Sequence, residues 1–229
     1  MEVGKINIVN PGSEDYHMHT FTFSDGANTI DEIVRFAGEI GLSKIVITDH
    51  SQVYMEQKGY HKKTSPSIMG RWKNVWNDVD VSFGVEADLL NEQGDVCMNI
   101  QGREFEHVVL SAHRTSYSGN PELITRGYLN AISRFGDKIT LLGHPCANYF
   151  DEYVEIEPIE KAANDCGVGL EFNCGNLVIG KTNLVKLDKM FELADRVYVN
   201  SDAHVLYDLK MFRQKGFEYL EEKGLYVVE

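Results

Sequence analysis

Basic charge is scarce in this chain: Lys and Arg number 22 against 35 Asp and Glu, a formal net charge of -13. Grip on a nucleic-acid backbone comes from Lys and Arg displacing condensed counterions, so a long polyanion is not an expected partner, while a locally basic pocket stays compatible with the balance. Cysteine is sparse as well. Cys97, Cys146, Cys166 and Cys174 form no C-x-x-C pair, which argues against a zinc knuckle or a disulfide framework and for reduced, mostly buried thiols. No apolar run approaches the roughly 20 residues of a membrane span. The N-terminus lacks the charged-then-apolar pattern of a signal peptide, so no membrane partner is expected and the cytoplasm is the expected compartment. No repeat, low-complexity tract or linker divides the 229 residues, and a single domain over 1–229 is expected.

At 43% hydrophobic and 25% charged, the chain is long enough to bury one large core. Short β-rich runs alternate with helical patterns. Residues 28–40 place Ile30, Ile33, Val34, Ala37 and Ile40 at helical spacing, with Thr29 and Glu32 set as a capping box. Further helices are expected near 121–135, 157–166 and 183–194, and a helix carrying Trp72 and Trp76 after a polar loop that starts at Ser51. The expected strands are an opening one through His17 and His19, then 44–48, 81–85, 105–112, 139–143, 168–172 and 196–200, with 225–228 as a covering strand. This alternation predicts an α/β fold, a distorted seven-stranded (β/α)7 TIM-like barrel.

His17 and His19, two apart on a strand, share a face and can grip one ion. Six of the seven strands deliver such residues at their carboxyl ends: His17 and His19, His50, Glu86, His113, His144, then Asp202 and His204. Parallel strands of a closed barrel bring those ends onto one face, where such folds keep their chemistry, so the pattern predicts a multi-metal site. Imidazole with carboxylate suits zinc, iron or manganese.

The ordered set His17-x-His19, Ser24-Asp25-Gly26, Thr48-Asp49-His50, Gly84-Val85-Glu86, Ser111-Ala112-His113, Gly143-His144-Pro145 and Ser201-Asp202-Ala203-His204 resembles the polymerase and histidinol phosphatase (PHP) superfamily, from about Asp15 to His204. The resemblance implies metal-dependent phosphoester hydrolysis with two to three divalent transition-metal ions (Zn, Mn or Fe). It implies one ion on His17, His19, Glu86 and Asp202, a second on Glu86, His113 and His144, and a third between Asp25, His50 and His204. Some relatives have histidine where Asp25 stands, so the third ion would be richer in oxygen ligands, which favours manganese or iron over zinc. A hydroxide bridging two ions about 3.5 to 4 Å apart would attack phosphorus in line, without a Ser or Cys nucleophile. Glu86, Asp202 and His204 are the expected catalytic groups, with Asp202, His204 or solvent as the acid for the leaving alkoxide.

Around these, Asp15 is read as orienting a ligand imidazole, and Asp49 either shares that face or caps a turn. His107, six residues before His113 and some 20 Å back at roughly 3.3 Å per residue, belongs to the far end of the barrel. Arg114 is the expected phosphate clamp, because guanidinium pairs bidentately with phosphoryl oxygens. Arg71, Arg126, Arg134 and Lys181 rank behind it, His61, Lys62 and Lys63 lie in a loop on the site's side, and Asn173 is read as orienting substrate or making a turn. The expected partner is a small phosphorylated metabolite, L-histidinol phosphate first, which would place the protein in histidine biosynthesis. A nucleotide phosphodiesterase or nuclease, or a non-catalytic metal-binding module, is the alternative; the oligomeric state is left open.

Overall fold

The computed structural model describes residues 6–60, 64, 65 and 67–226. In chain order its elements are β1 (Glu14–Asp15), α1 (Ile30–Glu39), β2 (Lys44–Ile47), α2 (Gln52–Gln57), α3 (Ser67–Arg71), β3 (Asp80–Leu89), β4 (Val96–Cys97), β5 (Asn99–Ile100), β6 (Arg103–Glu104) and β7 (His107–Ser111). They continue with α4 (Ile124–Phe135), β8 (Leu141–Leu142), α5 (Ile156–Cys166), β9 (Gly169–Asn173), α6 (Cys174–Val178), α7 (Leu184–Leu193), β10 (Val197–Asn200) and α8 (Leu206–Glu222).

Seven strands pair in the order β1, β2, β3, β7, β8, β9, β10, every neighbouring pair parallel. Parallel pairings of Ile8 with Val197 and of Met18 with Ala203 bring the two edges together, so the barrel is nearly closed. The expected (β/α) barrel is what the chain forms. Apolar faces of α1, α4, α5 and α7 pack on the strands, and one continuous core runs from Met18 to Leu225. The capping box on α1 forms: Thr29 accepts from Glu32 N, and the Glu32 carboxylate accepts from Thr29 N at 2.8 Å.

Several details differ from the expectations. The stretch after Ser51, expected as a polar loop, opens with α2, whose first turn the Ser51 side chain caps. Strand β3 does not stop at Glu86 but runs to Leu89, because antiparallel β4 extends it by pairing Cys97 with Asp88. The opening strand is short, and His17 and His19 lie beyond it, held by Asp202 N donating to His17 O and His19 N donating to Ala203 O. No helix carries both tryptophans: α3 ends at Arg71, and the Asn74 side chain accepts from the amides of Trp76 and Asn77, an Asx turn that competes with helix. Leu225 packs into the core without forming a strand, and residues 227 and 228 lie outside the described residues. Cys97, Cys146 and Cys174 are buried and free as expected, while Cys166 is free and exposed.

Candidate metal centre

Loops leaving the carboxyl ends of the strands set the site. Gly26 lets the turn after His19 fold back onto that residue's backbone, where a Cβ would collide with the His19 carbonyl, and this brings Asp25 over the barrel mouth. Two ligand-type residues take left-handed backbone, His144 at φ 33° and Asp202 at φ 55°, a conformation that costs an L-residue roughly 1–2 kcal/mol. Hydrogen bonds hold both in place. Glu171 Oε2 accepts from His144 N at 2.8 Å, and Asn173 Nδ2 donates to Asp202 Oδ2 at 3.0 Å.

Glu86 lies at the centre, 1% exposed. Its Oε1 is 2.9 Å from His144 Nε2, 3.3 Å from His113 Nε2 and 3.5 Å from His17 Nε2. Its Oε2 is 3.5 Å from His19 Nε2 and 2.7 Å from His50 Nδ1. His19 Nε2 lies 3.3 Å from His17 Nε2 and 3.2 Å from Asp202 Oδ1. Asp25 Oδ1 lies 3.5 Å from His50 Nε2 and 3.4 Å from His204 Nε2. All nine residues read from the sequence as metal ligands meet in this one cluster, and three groups of potential ligand atoms converge within 4.8 Å: His17, His19 and Asp202; His50, Glu86 and His113; His19, Asp25, His50 and His204. That partition differs from the expected one. His19 and His50 are each shared between two groups, and His144 approaches through Glu86.

The spacing fits cations. Two nitrogens each about 2.1 Å from a tetrahedral ion stand about 3.4 Å apart, close to the 3.3 Å between His17 and His19. His50 Nδ1 and Glu86 Oε2 are buried without a hydrogen bond despite their 2.7 Å separation, and a cation there would satisfy both. Protonation behaviour points the same way. Burial disfavours charge on His17 and His113, yet the carboxylates of Glu171, Asp202 and Glu86 raise His17 well above its ordinary value, and Glu86 with Asp88 raises His113 to about 10. Burial and the neighbouring His204 and His50 push His19 down to about 3. Despite burial, the surrounding histidines hold Glu86 and Asp202 well below the carboxylate range. The pocket demands positive charge, and divalent ions supply it more compactly than protons.

Two buried acids that the sequence reading passed over aim the imidazoles. Glu171 Oε1 lies 2.8 Å from His17 Nδ1, and Asp88 Oδ1 lies 2.8 Å from His113 Nδ1 while also accepting from the Ser116 hydroxyl. Each fixes which ring nitrogen faces the cluster. The period-two step from Glu86 to Asp88 on β3 was a legible signal for the second; Glu171, inside an apolar run, had only its improbability as a buried charge.

The remaining residues read from the sequence lie as follows. Asp15 accepts from the backbone amides of His17 and Ser201, at 3.3 and 3.2 Å, rather than from an imidazole. Asp49 turns away and takes the amide and hydroxyl of Thr20. His107 packs on Tyr16, with ring centroids 5.4 Å apart, away from the cluster. Arg114 donates through Nε to the Tyr149 carbonyl and lies over the Phe150 ring, lining a cavity of about 700 Å³ with Tyr117 and Tyr153. Asn173 spends both Nδ2 hydrogens on Glu171 and Asp202, and its Oδ1 accepts from Asn176 N, so no amide donor is left for phosphoryl oxygens. Arg134 pairs with Asp95 at 2.8 Å, whereas Arg71, Arg126 and Lys181 are exposed. His61, Lys62 and Lys63 lie outside the described residues.

Comparison with known proteins addresses the family and the fold. A protein of Caldanaerobacter subterraneus subsp. tengcongensis named "Probable phosphatase" is 28% identical over 211 residues, covering 86% of this chain and 78% of its own. One of the same name from Thermoanaerobacter sp. is 26% identical over 225 residues, covering 92% and 86%. The crystal structure of histidinol phosphate phosphatase from Lactococcus lactis subsp. lactis, complexed with zinc, L-histidinol and phosphate, superposes with a TM-score of 0.55 at 16% identity, covering 93% of this chain and 94% of that one, which shows a shared fold. The PHP domain family matches residues 15–221, nearly the whole chain, and the protein belongs to that family.

Proposed function

We propose that the protein is a metal-dependent phosphoesterase that hydrolyses small phosphate monoesters, with L-histidinol phosphate the first substrate to test. The carrying observation is three ligand groups that overlap through His19 and His50, each with a member within 3.5 Å of buried Glu86. In this reading two to three zinc, manganese or iron ions are held by His17, His19, Asp25, His50, Glu86, His113, His144, Asp202 and His204. Bound divalent ions would lower the pKa of water and neutralise charge on phosphoryl oxygens. Glu86 ties the groups together. His204, 37% exposed against 18% or less for its partners, marks the open side where an ester reaches the cluster. Asp202 and His204 are the groups placed to handle the leaving-group proton. The relatives named as phosphatases and the fold shared with a histidinol phosphate phosphatase support the reaction class and the substrate order. The net charge of -13 favours a short ester over a polymer, and no helix among the described residues is long and apolar enough to cross a membrane.

The test is a parallel assay of manganese-loaded protein at low salt against histidinol phosphate, mononucleotides and a single-stranded oligonucleotide. Turnover of histidinol phosphate is expected, with little action on the oligonucleotide. Cleavage of the oligonucleotide while every monoester survives would replace the phosphatase reading with a nuclease.

A further inference from the structure

The cluster supplies metal ligands in abundance, and donors for a substrate lie around it: Asn173 already gives both amide hydrogens to Glu171 and Asp202, while Arg114 commits its Nε to the Tyr149 carbonyl and lies over Phe150. A phosphate monoester still needs donors for those oxygens that do not meet the ions. Helix α2, which begins two residues after His50, presents such a pair.

Tyr54 stacks on His50, ring centroids 3.6 Å apart and planes 18° from parallel, and meets His113 edge-on at 5.0 Å. It thus spans the two ligand groups that share His50. A phenol carries an O–H donor, and this one stands at the edge of the cluster. Its hydroxyl makes no hydrogen bond with another described residue. The helix that carries it is anchored to the site: the Ser51 side chain caps the Tyr54 amide and donates to Asp88 Oδ2 at 2.6 Å, and Asp88 also aims His113.

Lys58 follows one turn later, at the i+4 spacing that puts two side chains on one helix face. Its Nζ lies 5.7 Å from the centre of the Tyr54 ring. Lys58, like Lys73, Lys138, Lys161, Lys181 and Lys210, forms no ion pair with a described residue, and among these it is the one whose Nζ lies against an aromatic ring that stacks on a ligand histidine. An unpaired ammonium on a flexible stem, beside an unpaired hydroxyl, suits a dianionic oxygen cluster.

We propose that Tyr54 and Lys58 are the phosphoryl-binding residues of this site, the phenol O–H and the ammonium donating to the oxygens of a phosphate monoester that the ions leave free. The proposal rests on the phosphoesterase reading for its ligand, so its test separates binding from turnover. On manganese-loaded full-length protein, orthophosphate binding is measured by equilibrium dialysis, metal content by elemental analysis, and KM and kcat with p-nitrophenyl phosphate. Lys58→Gln is expected to weaken orthophosphate binding about tenfold and raise KM in proportion, with metal content unchanged, since a charge-assisted hydrogen bond is worth roughly that factor. Lys58→Arg should restore most of the affinity, and Tyr54→Phe, which keeps the ring on His50, should lose about threefold. Lys138→Gln, which removes one positive charge on the loop between α4 and β8 at the far end of the barrel, should change neither quantity.

If the wild type turns over no monoester yet binds orthophosphate in a Lys58-dependent manner, the inference stands and the phosphatase reading falls. Metal-replete wild type that binds no orthophosphate overturns the inference. So does unchanged affinity in both Lys58→Gln and Tyr54→Phe.

Discussion

His107 and His113 begin and follow the same strand, β7, and both are half-buried, yet their chemistry is opposite. At the lower end, burial dominates and His107 falls to about 4; its Nε2 has no hydrogen-bond partner. At the upper end the same burial is overcome by Glu86 and Asp88, and His113 rises to about 10. Burial alone makes a histidine a neutral packing residue beside Tyr16. Burial together with converging carboxylates makes a place for positive charge. The two ends of one barrel strand therefore show what separates a structural histidine from a metal-site histidine: the acids around the ring, not its depth.

The comparison breaks most severely at Glu86. Glu86→Gln keeps the volume but removes the charge that sets the upper end apart, so metal content should fall in more than one ligand group at once. Turnover should fall by roughly a thousandfold, the scale of several kcal/mol of lost metal-assisted stabilisation. Elemental analysis alongside kinetics checks both, and loss of a single ion with the others retained would show that Glu86 is not shared.

A smaller effect follows from the acids behind the rings. Asp88→Asn and Glu171→Gln leave every ligand atom in place but remove the anion that orients His113 or His17, and metal affinity should drop by about 10- to 100-fold. Metal titration by calorimetry reads this directly. His107→Leu, at the other end of β7, should leave metal affinity unchanged.

The smallest effect is in the pH dependence of the chelated protein. The folded-state values of His113 and His204 are raised, to about 10 and about 9, so their contribution is fully present below about 6.5 and is lost as pH rises through those values. His107 is lowered to about 4, so it removes stability as pH falls from about 6.5 toward 4. In chelator, thermal stability should peak near pH 6.5 and decline by a few degrees towards pH 10. Metal-loaded protein should not show the alkaline decline, because ions replace the protons. Identical alkaline profiles with and without metal would show that the cluster does not exchange protons for cations.

Much of the site was legible because of how β-strands work. A parallel barrel brings strand ends together, so His17, His50, Glu86, His113, His144 and Asp202 could be grouped from their phase in the repeat alone. Boundaries were less legible. The extension of β3 past Glu86 depends on the pairing of Cys97 with Asp88, and the end of α3 depends on Asn74 capping its own turn. Neither is a periodicity.

The sequence by itself determined the α/β alternation, the barrel, and the set of residues that meet at its mouth, because period-two and helical spacing dictate which side chains share a face. Only the tertiary structure decided which polar residues already had partners. Asn173 looked available and gives both amide hydrogens to Glu171 and Asp202, Glu171 and Asp88 looked incidental and aim the imidazoles, and Tyr54 with Lys58 became visible once α2 was placed against His50. The reason is physical: a hydrogen bond or an ion pair joins atoms across strands that lie far apart in the chain. Its formation depends on distances of a few tenths of an ångström that no spacing rule encodes.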